Sequence, residues 1–144
     1  MQDYNYWANG CMEVTVELSC CKYPPPAALP QIWLNNKNSL IDYLKMANKG
    51  IRGIIRYSNN RPARGITVKI DSREPYFVTN INGEYYRILL DGDYILSLML
   101  DCNQVYSTDI HINGLLELNI TLPVDVYMQS LKIKNRSKTV LSCD

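Results

Sequence analysis

The sequence predicts an α+β chain: a strand and a helix at the amino end, followed by a small antiparallel β-sandwich of about seven strands. Three observations carry this. Residues Met12 to Leu18 alternate strictly, with Met12, Val14, Val16 and Leu18 on one face and Glu13, Thr15 and Glu17 on the other, as in a strand with one apolar face. Between Leu29 and Ala47 the period turns helical, placing Leu29, Ile32, Trp33, Asn36, Leu40, Ile41, Leu44 and Ala47 near one stripe. From Ile51 onward, short β-branched or aromatic runs are broken by turn residues every 8 to 12 positions or so, the rhythm of a small sandwich.

Taken in order, the first strand has an apolar face that only a larger sheet would cover, and backbone groups that neighbouring strands would have to satisfy. The helix, over residues 29–47, has Pro30 in its first turn, where the missing N–H is no loss. Asn48-Lys49-Gly50 closes it, glycine being suited to a left-handed cap. Strands are expected over residues 51–57, 66–70, 76–80, 85–90, 94–100, 105–112 and 116–122. The breaks are Ser58-Asn59-Asn60-Arg61-Pro62, Asn82-Gly83 and Asp91-Gly92, the last two having the residues that a type I′ hairpin turn requires at its two positive-φ positions. After Pro123 the pattern weakens, so residues 125–144 read as a loosely held tail.

Composition excludes several classes of function. A chain of 144 residues that is 47% hydrophobic can bury roughly two thirds of its unfolded surface, enough for one core or two small ones. With net charge +1 and a pI near 7.6, no long-range field recruits nucleic acid or an anionic membrane. The basic run Lys132, Lys134, Arg136, Lys138 reads as a solvated tail. No segment approaches the roughly 18 apolar residues of a membrane span, and the first residues are too polar for a signal peptide. Cys11, Cys20, Cys21, Cys102 and Cys143 show no C-x-x-C spacing, and an odd count leaves at least one unpaired. Adjacent Cys20 and Cys21 would face opposite sides of a strand and so seek different partners. No phosphate-binding or dinucleotide-binding glycine loop occurs, and the scattered tyrosines read as sheet packing rather than a stacking platform for bases.

The run Met1-Gln2-Asp3-Tyr4-Asn5-Tyr6, with Cys11-Met12-Glu13-Val14-Thr15-Val16-Glu17-Leu18-Ser19-Cys20-Cys21-Lys22-Tyr23-Pro24, resembles the end of a zinc metallocarboxypeptidase catalytic domain of the regulatory branch, which includes carboxypeptidases M, D, E and N. The resemblance continues through Pro24-Pro25-Pro26, Leu29-Pro30, Trp33, Asn36-Lys37, Ser39-Leu40-Ile41 and Tyr43. It then runs through Gly50-Ile51-Arg52-Gly53, Pro62, Thr67-Val68, Thr79-Asn80, Gly83-Glu84-Tyr85-Tyr86 and Gly92-Asp93-Tyr94, covering roughly residues 1 to 125. It implies a catalytic-domain remnant at 1–49, a transthyretin-like β-sandwich at 50–124 and a tail at 125–144. Leu90-Asp91-Gly92 stands where the family usually has proline before glycine, a departure that touches only a turn.

Read from the residues, Glu17 on the polar face of a strand is a solvent-facing glutamate. The resemblance implies instead that Glu17 is the general base and acid of peptide hydrolysis, with Gln2 and Thr15 on the wall of the pocket for a substrate's terminal Arg or Lys. In complete family members a zinc ion lowers the pKa of its bound water from 15.7 to about 7. Its ligands, a His-x-x-Glu pair and a later histidine, lie upstream of this segment in the family. Here His111 is the sole histidine, so zinc is expected in the complete enzyme and none in this chain by itself. The chain thus reads as a carboxy-terminal piece, inactive as written, of an enzyme acting on peptides or proteins with C-terminal Arg or Lys. The alternative is a non-catalytic interaction or folding-support module built on the sandwich. By resemblance the parent is extracellular or in the secretory pathway, where the sequons at Asn119 and Asn135 become usable. No hydrophobic tail of a lipid-anchor signal is read at the end.

Overall fold

A computed structural model describes residues 2–9, 11–71 and 73–134. The chain divides into two compact units, Met1–Asn48 and Lys49–Asp144. The first unit is two helices and the segment between them. Helix α1 spans Gln2–Asn9, with Asp3 in its first turn where the helix dipole favours a negative charge. Sequence reading did not anticipate it. A single 3₁₀ turn, Pro26–Ala28, leads into α2, Leu29–Lys45, which begins with a proline as expected and loses its last residues to a second 3₁₀ turn, Met46–Asn48.

The strand expected over 12–18 is not formed: residues 11–19 have no regular secondary structure. Among the described residues no strand pairs with them, so their backbone groups lack the ladder that defines a strand. Gly50 also differs from its expected role. Its φ of +108° lies outside the left-handed cap geometry, and it opens the first strand of the second unit, where an added Cβ would sit 2.1 Å from the carbonyl oxygen of Arg87. Close approach between neighbouring strands, rather than helix termination, demands the glycine.

In the second unit, β1 (Gly50–Tyr57), β4 (Glu84–Arg87), β7 (Leu115–Glu117) and β8 (Ile120–Leu122) form one sheet. The other has the order β3 (Arg73–Val78), β2 (Thr67–Ile70), β5 (Gly92–Leu100), β6 (Asn103–Ile112). The second sheet is antiparallel throughout. In the first, β1 pairs antiparallel with β4 but parallel with both β7 and β8. The single strand expected over 116–122 is split because the chain steps off the ladder between them: Leu118 donates its N–H to the Arg52 carbonyl at 2.9 Å, and the Asn119 side-chain oxygen accepts the Ile54 N–H at 2.8 Å. Gly53 permits this crossing, since a Cβ there would lie 1.9 Å from the Leu118 oxygen.

The expected hairpin turns are also relocated. At Asn82-Gly83 only the glycine has positive φ, +77°, and the Gly83 N–H bonds back to Asn80, joining strands of different sheets. The two-residue connection with both φ values positive is Asp101-Cys102, at 49° and 64°, between the paired strands β5 and β6, as a type I′ hairpin requires.

Alternate residues from both sheets interdigitate as one core, led by Ile51, Ile55, Ile66, Ile70, Leu96, Leu98, Ile112 and Leu122, all essentially without exposure. Polar groups that enter it are satisfied. The buried Thr79 hydroxyl accepts the Ile66 N–H at 2.9 Å and donates to the Ala63 carbonyl at 2.6 Å. Arg87 lies over the Phe77 ring and donates to the Pro75 carbonyl at 2.6 Å. The loose tail expected from residue 125 is instead helix α3, Val124–Lys134, with Val126 buried in the core and the Tyr127 ring 5.1 Å from that of Tyr57. Pro123 and Asp125 are the start signals that the reading passed over. Residues 135–144, with Cys143 and the second sequon, lie outside the described residues.

Candidate functional site

In the first unit, polar side chains of α1 meet the polar positions of the segment 11–19 at matching intervals. The Gln2 amide donates to the Thr15 hydroxyl. One turn further along α1, the Asn5 amide donates to a Glu13 carboxylate oxygen at 2.7 Å. A step of three on the helix thus answers a step of two on the segment, so Glu13 and Thr15 both meet α1. Opposite contacts tie the segment's backbone to α2: the Tyr43 hydroxyl donates to the Met12 carbonyl at 2.9 Å, and the Asn36 amide to that of Leu18 at 3.1 Å.

Glu17 is the next polar position after Thr15. It is exposed and makes no hydrogen bond or ion pair with any described residue. The structure therefore brings two of the three candidate residues, Gln2 and Thr15, into contact and leaves the third, Glu17, as an exposed carboxylate. Asn5 and Glu13, which complete the polar seam, were missed as a pair; their relation depends on α1, which the sequence did not announce.

Among the described residues no group of three or more His, Cys, Asp or Glu side chains is disposed to hold a metal ion. His111 lies on β6 in the second unit and pairs through Nδ1 with Asp93 at 2.7 Å. The described residues do not fit a zinc centre. Cys11, Cys20 and Cys21 are free and exposed, so the pairings expected of Cys20 and Cys21 are not made. Cys102 is disulfide-bonded.

Comparison with known proteins gives the sequence its context. No family model matches. The chain is 38% identical to mouse carboxypeptidase M over 146 aligned positions, which take in 95% of this chain and 33% of that protein. It is 41% identical to human carboxypeptidase D over 69% of this chain and 7% of that one, and 35% identical to the human carboxypeptidase N catalytic chain over 67% and 21% respectively. The chain belongs to the C-terminal portion of the regulatory metallocarboxypeptidases. It spans about a third or less of the length of these relatives. A solved DUF3823 family protein from Bacteroides uniformis aligns with 52% of this chain and 43% of its own at 14% identity and a TM-score of 0.41, too remote to bear on function. No helix among the described residues of this carboxypeptidase-like fragment is long and apolar enough to cross a membrane.

Proposed function

We propose that this chain is the carboxy-terminal part of a zinc carboxypeptidase that removes C-terminal Arg or Lys from peptides, with Glu17 as the proton-transfer residue and Gln2 and Thr15 on the substrate pocket wall. The observation that carries the reading is the 38% identity that holds across 95% of the chain, first unit and sandwich together. The seam supports it chemically. An exposed carboxylate with no partner among the described residues, two positions along the chain from Thr15, can accept a proton from an attacking water and return it to a leaving amine. On this reading residues 1–49 are catalytic-domain remnant and residues 50–124 a transthyretin-like domain; the zinc donors belong to the length of the relatives that this chain does not span.

Two measurements test it. Purified as it stands, the chain should hold no stoichiometric zinc and release no basic residue from a basic-tailed dipeptide; one tightly held equivalent with turnover overturns the assignment. With the missing catalytic region supplied, Glu17→Gln should lower kcat by at least the 10² to 10⁴-fold, roughly, of a general acid–base group while zinc content and inhibitor binding hold. Glu13→Gln, on the same segment and tied to Asn5, is the control, and equal losses from both would refute the role of Glu17. A non-catalytic module remains the second reading, favoured by the sandwich having a complete core of its own.

A further inference from the structure

The loop joining β1 to β2 is fixed at several points and brings two arginines to one concavity. Ala63 is fully buried, its N–H donates to the Ile55 carbonyl at 2.9 Å and its carbonyl accepts the Thr79 hydroxyl. The Arg61 carbonyl accepts the Tyr57 N–H at 2.8 Å, while Asn60 takes the left-handed turn at φ 64°. Between this loop and α3 lies a cleft of about 340 Å³, lined by Arg61 and Arg64 together with Tyr57, Tyr127, Ile81 and Leu131, and among the described residues neither Asp nor Glu lines it.

The two guanidiniums are differently held. Arg61 lies over the Tyr127 ring, 5.4 Å from its centroid, and donates one Nη1–H to that hydroxyl at 2.5 Å, which sets its plane and leaves other donors unused. Arg64 is exposed and has no hydrogen bond or ion pair to any described residue. Ile81 and Leu131 add apolar surface at the rim, 67% and 37% exposed. An ordinary surface arginine sits on a flexible chain near acidic neighbours. Here neither positive charge has an acidic partner among the described residues, and the pair is presented by a loop whose order is already established, so a ligand would not have to impose that order.

We propose that this cleft binds an oxyanion carried on an apolar body: a carboxylate or phosphate monoester gripped by Arg64 and Arg61, with its hydrocarbon part against Tyr127, Ile81 and Leu131. The guanidinium fork matches two oxygens of either group, and the low local negative charge leaves that match unopposed. The site is independent of the peptidase reading, since none of its residues belongs to the Glu17 seam.

The test is an amide-resolved NMR titration of the full chain with 4-phenylbutyrate and with phenyl phosphate, against inorganic phosphate and benzyl alcohol. Saturable shifts are expected at Gly65, Ile81 and Leu131, from either phenyl anion or from both, and whichever binds more tightly identifies the head group. Arg64→Ala should weaken binding by about tenfold or more, the effect of losing a charge-assisted contact, with Arg64→Lys intermediate because it keeps the charge without the fork. Arg73→Ala, which removes the arginine paired with Asp71 elsewhere on the sandwich, should leave it unchanged. No saturable shift overturns the proposal. So does inorganic phosphate or benzyl alcohol binding as tightly as the phenyl anions, or an Arg64→Ala chain that binds normally.

Discussion

Residues 12–18 and strand β5 both carry an apolar side chain at every second position, with Ile95 and Met99 added on the other face of β5, and these every-second positions have opposite fates. In β5, Tyr94, Leu96, Leu98 and Leu100 are 8%, 0%, 0% and 7% exposed; in the first unit Met12, Val14, Val16 and Leu18 are 50%, 51%, 48% and 44% exposed. β5 has β2 on one side and β6 on the other, so its backbone is paired along both edges and its apolar face meets the opposite sheet. The earlier segment has two side-chain ties to α2 and a polar seam with α1, none of which pairs its backbone in a ladder. Alternation states which face would be buried. Whether it is buried depends on neighbours at both edges, and those are a property of the surrounding chain rather than of the segment.

The largest expected contrast comes from deleting one side chain from each region. Leu96→Ala opens a cavity in a close-packed core and should lower unfolding free energy by about 2–5 kcal/mol. Val16→Ala removes atoms that water already touches, and should stay within about 0.5 kcal/mol. Urea denaturation followed in the sandwich reads both; comparable losses would mean that residues 12–18 share a core with something.

A smaller effect tests the polar part of the core. Thr79→Val keeps the shape but strands the Ile66 N–H and leaves the Ala63 carbonyl without its hydroxyl, so about 1–3 kcal/mol should be lost. The same scan should show slow amide exchange at Ile66 in the parent and faster exchange in the variant. A neutral result would show that water reaches this buried pair.

The same dependence on neighbours explains what was legible in the sequence. Helix α2 was, because Pro30 and a 17-residue stretch of helical period specify it locally. Most sandwich strands were, because short β-branched runs between turn residues leave few other options. Three features were not. The split of β7 from β8 hangs on Leu118 crossing over Gly53, a contact between positions far apart in sequence. The tight hairpin fell at Asp101-Cys102, residues less suited to positive φ than the Asn-Gly and Asp-Gly pairs, because strand pairing placed the reversal there. Helix α1 is only eight residues long, and its contacts with Glu13 and Thr15 join positions outside the helix. At the candidate site, Glu17, Gln2 and Thr15 could be named from the motif, while the Asn5–Glu13 contact required the fold.

pH offers a finer probe of the sandwich. Burial, with the neighbouring Tyr106 adding to it, pushes the Tyr85 phenol above its ordinary range. A phenol whose folded pKa exceeds the unfolded value of about 10 contributes stability that is whole below that pH and declines as pH rises past it. Unfolding free energy should therefore fall above about pH 10 with one proton's slope from this residue, and Tyr85→Phe should remove that share. An unchanged slope in the variant would mean that Tyr85 titrates normally.

The smallest difference concerns two tyrosine hydroxyls that make the same bond in the two units. Tyr85 donates to the Leu118 carbonyl at 2.7 Å beside the core, and Tyr43 to the Met12 carbonyl at 2.9 Å in exposed surroundings. Replacing Tyr85 with Phe leaves a partly buried carbonyl short of its donor and should lower stability by about 1 kcal/mol at neutral pH. Replacing Tyr43 with Phe exposes the Met12 carbonyl to water, which substitutes for the lost hydroxyl, so the change should be under about 0.5 kcal/mol. Hydrogen exchange at residues 12–18 sharpens the second case, since that bond is one of two that tie their backbone to α2. Faster exchange there in Tyr43→Phe, with the sandwich untouched, is the expected result. If Tyr43→Phe instead cost as much as Tyr85→Phe, the Met12 carbonyl would have to be shielded from solvent, and the contrast between the two alternating segments would be one of degree.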